Sequence, residues 1–258
     1  MNKITAIIVA RNEEKMIRDA LESVSFCDEV IVVDSGSIDK TKEIAQALGA
    51  KVYEIKSNDF SQFRNLGLSK AENDWILYLD ADERINPELK ETIKKTIEDS
   101  STSAFTLRRK NFYFGKHEWP KIEKMPRLFQ KSKLKQWQGR LHESPIVDGE
   151  IEEIKDGYIL HFTHRDLESM LNKTIEWSTQ EALLRYNSGH PQMTWWRFPR
   201  VMLTAFLDSY IKQGGYKAGA MGVVESMYQS FSMFITYAKL WELQNREKIN
   251  DLRLKIKE

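Results

Sequence analysis

Apolar residues along the first hundred positions fall into two alternating patterns. Strand-length segments lie at Ile4 to Ala10, Val30 to Val33, Lys51 to Ile55 and Trp75 to Leu79. The first (Thr5 aside), second and fourth are continuously apolar, which marks strands buried on both faces in a parallel sheet. Between them, apolar positions recur with helical spacing. Ile17, Ala20, Leu21 and Val24 line one face of a first helix, with Asn12 as expected cap and Glu13 and Glu14 in its first turn. Ser37 is placed to cap a second helix that closes near Gly49, and Asp59-x-x-Gln62 reads as a capping box for a third, ending about Ala71. This β-α-β-α-β-α-β order predicts a parallel, doubly wound sheet with right-handed crossovers. Asn86-Pro87 then opens a helix to about Asp99.

From Ala104 the pattern changes to strands, at AFTLRRKNFYF, MPRLFQ, a segment near Trp137, and YILHF after Gly157. Three helices follow: Arg165 to Tyr186, with Leu167, Leu171, Ile175 and Ala182/Leu183 at contact spacing; Pro199 to Lys212, broken by Gly214-Gly215; and Ala218 to about Lys248. The expected organisation is a domain over 1–164, with a nucleotide-binding half (1–100) and an acceptor half (101–164), then a helical extension over 165–258.

Composition narrows the class. A 41% hydrophobic share in 258 residues supports a folded core, and the single cysteine, Cys27, excludes an intrachain disulfide. The start runs straight into a strand without a signal-peptide core, and no apolar stretch is long enough to span a bilayer. A cytoplasmic protein is expected. Net charge is only +1, yet Arg108 to Arg140 carries eleven Lys/Arg against Glu118 and Glu123. Such a run suits an anionic ligand or is a solvated face.

The candidate chemistry lies at strand ends. Asp80 and Asp82 follow the strand Trp75 to Leu79, at the edge where open α/β sheets bind ligands. In extended backbone, residues i and i+2 point the same way, so both carboxylates can face one hard cation, Mg²⁺ or Mn²⁺. A polar turn with Asp82 capping the next helix is the plainer reading. No Gly-x-Gly-x-x-Gly or Gly-x-x-x-x-Gly-Lys-Ser/Thr is present, so dinucleotide and P-loop cradles are excluded.

Together, Ile8-Val-Ala-Arg-Asn-Glu13, Val32-Val-Asp-Ser-Gly-Ser-Ile-Asp39-Lys-Thr41, Arg64-Asn65 and Leu79-Asp-Ala-Asp-Glu83 resemble family 2 glycosyltransferases of the GT-A fold. The likeness continues through Arg127-Leu-Phe129, His142-Glu143 and His161, a pattern similar to the WaaE-like β-glucosyltransferases that build lipopolysaccharide core. The resemblance implies a nucleotide-binding, mainly parallel α/β sheet flanked by helices. It further implies inverting transfer, from a UDP-sugar donor (glucose as the sugar) to a glycolipid or glycan acceptor. Ala10, Arg11, Asn12 and Glu13 would lie against the nucleotide, Asp34 would hold base or ribose with Ser35 beside it, and Arg64 would meet phosphate or sugar. Asp82, assisted by Asp80, would hold Mn²⁺ or Mg²⁺ with Ala81 between them. Glu143 would be the base that deprotonates the acceptor, His142 would orient the site, His161 would add a metal or diphosphate ligand, and Arg127 would meet the diphosphate.

Other readings compete. Helix cap and turn are the plain roles for Asn12, Asp34 and Ser35, a surface ion pair for Arg64, pairing with Arg140 for Glu143, and ordinary structural roles for the two histidines. A sugar-phosphate nucleotidylyltransferase would use a similar sheet but wants a Gly-rich basic loop after the first strand. A non-catalytic glycan- or lipid-binding module is a third reading, opposed by the intact Asp80, Asp82 and Glu143.

Trp195-Trp-Arg-Phe-Pro-Arg200 and the apolar run to Leu207, with Lys212 and Lys217, have the composition of a helix in a membrane interface. Peripheral contact through 195–217 at the inner face of the cytoplasmic membrane is therefore expected. Packing on the catalytic domain or in a homo-oligomer is the alternative, and no nucleic-acid partner is expected.

Overall fold

The computed structural model describes residues 2–57, 59–99, 101–139 and 143–246. The strands are β1 (Ile4–Ala10), β2 (Glu29–Asp34), β3 (Lys51–Glu54), β4 (Trp75–Asp80), β5 (Glu83–Ile85), β6 (Ala104–Tyr113), β7 (His117–Glu118), β8 (Glu123–Gln130), β9 (Leu134–Gln138), β10 (Ser144–Val147), β11 (Ile151–Glu153) and β12 (Ile159–Phe162). The helices are α1 (Ile17–Ser23), α2 (Thr41–Ala47), α3 (Phe60–Lys70), α4 (Pro87–Asp99), α5 (Leu167–Asn187), α6 (Arg197–Leu207) and α7 (Gly219–Gln244). The chain divides into two compact units, residues 1–111 with 122–163 and residues 112–121 with 164–258.

In the first unit the main sheet runs β3-β2-β1-β4-β8-β6-β12-β5. The first four strands are parallel, and β8 joins antiparallel to β4. The continuous apolar runs are explained by burial on both faces. Ile4, Ala6 and Ile8 belong to one core with Ile17, Leu21, Leu89 and Ile93, and Ile7 belongs to the other with Phe63, Tyr78, Phe129 and Trp137. Gly67 of α3 permits the second contact, because a Cβ there would lie 2.4 Å from Ile7 Cγ2.

Two expected caps take other roles, and a third caps its helix differently from the expected box. Asn12 has left-handed backbone (φ 55°) and α1 begins only at Ile17. Ser37 caps no helix, because its hydroxyl serves the loop between β2 and α2. Asp59 does cap α3, but through Ser61 N rather than a box with Gln62.

In the second unit β7 pairs with the end of β6, and Trp119 Nε1 donates to Gln213. An Asp166–Ser169 capping box starts α5. The helix expected over 199–212 is α-helical to Leu207 and continues as a π-turn over Asp208–Lys212. In α5 the contact face is Met170, Thr174, Ser178 and Ala182; of the apolar positions expected from the sequence it keeps Ala182, while Leu167, Leu171, Ile175 and Leu183 are exposed. The hydroxyls decide this. Thr174 bonds Tyr228 Oη at 2.6 Å, and Tyr228 donates to Met170 O at 2.7 Å.

Candidate functional site

The loops after β1 and β2 are joined by side chains. Asp34, fully buried, accepts from Gly36 N (2.9 Å), Ser37 N (2.8 Å) and Ser37 Oγ (2.5 Å). Ser37 Oγ accepts in turn from Asn12 N, Asn12 Oδ1 accepts from Ile38 N, and Thr41 Oγ1 accepts from Glu13 N. Asp34 therefore shapes the loop with its carboxylate, and Asn12 and Glu13 are held by backbone bonds to the neighbouring turn. Ala10 O receives Ser35 N, and Val9 O receives Ala81 N, so the ends of β1, β2 and β4 are drawn together. Arg11 lies exposed beside them.

At the end of β4 the backbone turns at Ala81–Asp82 before β5, so Asp80 and Asp82 do not share the alternation of one strand. Arg84 holds this turn by donating to Ala81 O and Glu83 O. The two carboxylates consequently have different surroundings. Asp80 lies between two guanidiniums, Oδ1 3.0 Å from Arg64 Nη2 and Oδ2 2.7 Å from Arg127 Nη2. Burial opposes its charge, but Arg127 and Arg64 overcome that and hold the Asp80 carboxyl well below the usual range. Asp82, also buried, has Oδ2 3.4 Å from His161 Nε2.

Arg64 extends this arrangement across the chain. Its Nε donates to Glu143 Oε1 at 2.8 Å, so one guanidinium joins Asp80 to a carboxylate 79 residues away. The guanidinium also lies 4.8 Å from the Trp137 ring centroid, within cation–π range. Asn65 fixes Trp137 from the same helix, donating to Trp137 O and accepting from Trp137 N. His142 lies outside the described residues.

Sequence reasoning missed the other half of the charge network. Glu83 is fully buried; its Oε2 accepts from Asp80 N, and its Oε1 faces Arg109 Nη1 at 2.7 Å and Arg127 Nη2 at 3.2 Å. Arg109 continues to Glu123, which burial disfavours as an anion but the Arg109 charge, with Asn111 and His161, keeps below the ordinary carboxylate range. A signal was available. Along β6, Phe105, Leu107, Arg109, Asn111 and Tyr113 alternate onto one face, so a cation and an amide are interleaved with apolar residues that are buried. The basic run of 108–140 is therefore not one surface. Arg109 and Arg127 turn inward, while Lys124 pairs with Glu153 and Arg108 stacks on Tyr158.

A divalent cation, implied by the resemblance, can be tested against these groups. Asp80 fits it poorly here, since both its oxygens face arginines. Asp82 and His161 fit, offering a carboxylate oxygen and an imidazole nitrogen that Mn²⁺-type cations accept. Among the described residues, no cluster of three or more His, Cys, Asp or Glu could hold a metal unaided.

The family model described as glycosyl transferase family 2 matches residues 5–150, more than half of the chain. The chain belongs to this family. An uncharacterised glycosyltransferase of Rickettsia typhi is 28% identical to this family 2 glycosyltransferase, over 96% of this chain and 90% of that one. The lipopolysaccharide core biosynthesis glycosyltransferase LpsC of Rhizobium meliloti is 25% identical over 96% of both chains. Among solved structures, S. aureus TarS 1–349 aligns over 95% of this chain and 92% of its own, at 17% identity and TM-score 0.49. Glucosyl-3-phosphoglycerate synthase of Mycobacterium tuberculosis, crystallised with Mn²⁺, UDP and its product, is 26% identical over 43% of this chain and 44% of that one, at TM-score 0.36.

Proposed function

We propose that this family 2 glycosyltransferase transfers a sugar, with glucose as the leading candidate, from a UDP-sugar to a cell-envelope glycolipid or glycan by single displacement with inversion. The carrying observation is the bridge Glu143–Arg64–Asp80, which puts a carboxylate suited to base work beside the end of β4. Inversion needs one base for the acceptor hydroxyl, and no second carboxylate as nucleophile. Glu143 Oε1 is engaged by Arg64, so Oε2 is the oxygen that takes the proton. Asp82 and His161 are the residues that would hold Mn²⁺ or Mg²⁺, which when bound supplies Lewis-acid stabilisation of the leaving diphosphate. Arg64 and Arg127 set the field there, balancing Asp80. Ala10, Arg11, Ser35 and Ala81 shape the edge for the nucleotide; Asn12, Glu13 and Asp34 hold that edge in place. Membership of a glycosyltransferase family sets aside the nucleotidylyltransferase reading. A lipopolysaccharide-type acceptor accords with the part of the Rhizobium meliloti relative in lipopolysaccharide core biosynthesis.

Peripheral membrane contact through 195–217 belongs to the same proposal. No helix among the described residues is long and apolar enough to cross a membrane. What supports surface contact is the set of large apolar side chains that the second unit leaves exposed beside its helix contacts. Ser226 meets Ser209, Ser230 donates to Met202 O, and Gly222 packs on the Gly215 backbone, while Trp195 (83% exposed), Leu203 (59%) and Ile211 (56%) face outward. A group of large apolar side chains left exposed in this way marks an interaction surface. Arg197, Arg200, Lys212 and Lys217 supply the basic rim.

The deciding experiment is transfer and donor hydrolysis with UDP-, GDP- and TDP-sugars in Mn²⁺ or Mg²⁺. Glu143→Gln is expected to keep donor binding and lose about 10²–10⁴ in kcat, and Asp82→Ala to lose cation-dependent nucleotide binding. An unchanged kcat in the first removes Glu143 as base. Replacing Trp195 and Trp196 together is expected to abolish binding to anionic liposomes; retained binding, or a dimer of unchanged stability in solution covering these residues, refutes the membrane contact.

A further inference from the structure

Asn111 lies one strand from the site, buried in β6, with no part in the sequence motifs. Its Oδ1 is 2.7 Å from His161 Nδ1. The Asn111 amide also favours the anionic form of Glu123, which is itself held by Arg109. A carboxylate accepts only, so the amide must turn its NH₂ toward Glu123 and its oxygen toward His161. An amide oxygen accepts only as well. His161 Nδ1 must therefore carry a proton, and in the neutral imidazole the Nε2 lone pair then faces Asp82 Oδ2 at 3.4 Å.

We infer that Asn111, oriented by Glu123, is a positioning residue that fixes the His161 tautomer and so readies Nε2, with Asp82, for a divalent cation. This rests on the cation reading given above but concerns residues that reading does not use. The chain Arg109–Glu123–Asn111–His161–Asp82 acts as an outer support for the metal ligands. Outer partners of this kind commonly change metal affinity by about 10–100-fold.

The test uses full-length protein with ¹⁵N-labelled histidine and no metal, with His161 assigned by the signal lost in His161→Gln. Wild type is expected to show a protonated Nδ1 and an unprotonated Nε2. Asn111→Leu is expected to show mixed tautomers and to bind Mn²⁺, without donor, about 10–100-fold more weakly by water-proton relaxation. Asn111→Asp retains an acceptor toward Nδ1 and is expected to restore the wild-type tautomer. A proton on Nε2 in wild type overturns the inference whatever the variants do, as does Asn111→Leu with tautomer and affinity unchanged. Wild-type protein with the expected tautomer but no Mn²⁺ affinity supports the positioning role and sinks the cation reading, so the two failures are distinguishable.

Discussion

Replacing Arg64 with Met tests the central bridge, because Met keeps an apolar stem over Trp137 and removes only the guanidinium. In the folded protein that guanidinium makes two charge-assisted bonds, 3.0 Å to Asp80 and 2.8 Å to Glu143, from a side chain 7% exposed. Asp80 retains Arg127 at 2.7 Å, so the heavier loss falls on Glu143. The network of Arg64, Arg109 and Arg127 against Asp80, Glu83, Glu123 and Glu143 is already one negative charge in excess, and the substitution makes it two. Removing one partner of a buried pair costs about 3–5 kcal/mol, and Asp80's second arginine puts the expected loss at the lower end, about 3 kcal/mol. Arg64→Lys keeps charge without the fork and is expected to lose about half as much. Urea unfolding followed by tryptophan fluorescence reads this as a midpoint lowered by about 1 M or more. In the double variant with Glu143→Gln the losses are expected to fall short of additive, because the uncompensated carboxylate is then gone. A loss below about 1 kcal/mol, the size of an exposed pair, or strict additivity, refutes the bridge.

Three further outcomes follow from the same geometry. Gly67→Ala is expected to destabilise by about 1–2 kcal/mol despite alanine's better helix propensity, since its Cβ meets fully buried Ile7; stabilisation in thermal melts contradicts the packing. Asp34→Ala strands two backbone N–H groups and the Ser37 hydroxyl, and a loss of about 2–3 kcal/mol with weaker nucleotide binding is expected; unaltered stability by urea titration refutes it. Asp80 titrates lower folded than unfolded, so its contribution is fully present above about pH 4, the unfolded value, and is lost as pH falls further. Stability measured from pH 5 to 2 should therefore fall, and less steeply in Asp80→Asn, although Glu29, Asp39 and Glu123 shift the same way. An equal slope in the variant contradicts the assignment.

Much of the parallel half was readable because its information is local. Ile4 to Ala10, but for Thr5, and Trp75 to Leu79 are apolar throughout, and only a strand covered on both faces uses such a run. Asp59 and Asn86-Pro87 mark helix starts through bonds to neighbours two or three residues away. Asn12 and Ser37 misled for a long-range reason. Each has a good capping side chain, but the facing loop offers a better partner about 25 residues away. In α5 the apolar spacing was real and its direction was not, because hydroxyl pairing with α7 set the contact face.

By itself, then, the order of residues determined the alternation of strands and helices, the acidic strand ends and the family. Periodicity and capping act within a few residues and leave their mark on a single chain segment. The tertiary structure decided what each charge meets. Asp80 and Asp82 stand two positions apart and read as one ligand pair, yet the turn at Ala81–Asp82 sends one to Arg64 and Arg127 and the other to His161. Buried charges take whichever partner the packing brings to them, since leaving one unpaired costs several kcal/mol. For Arg64 that partner is Glu143, 79 residues away, and no local pattern specifies it.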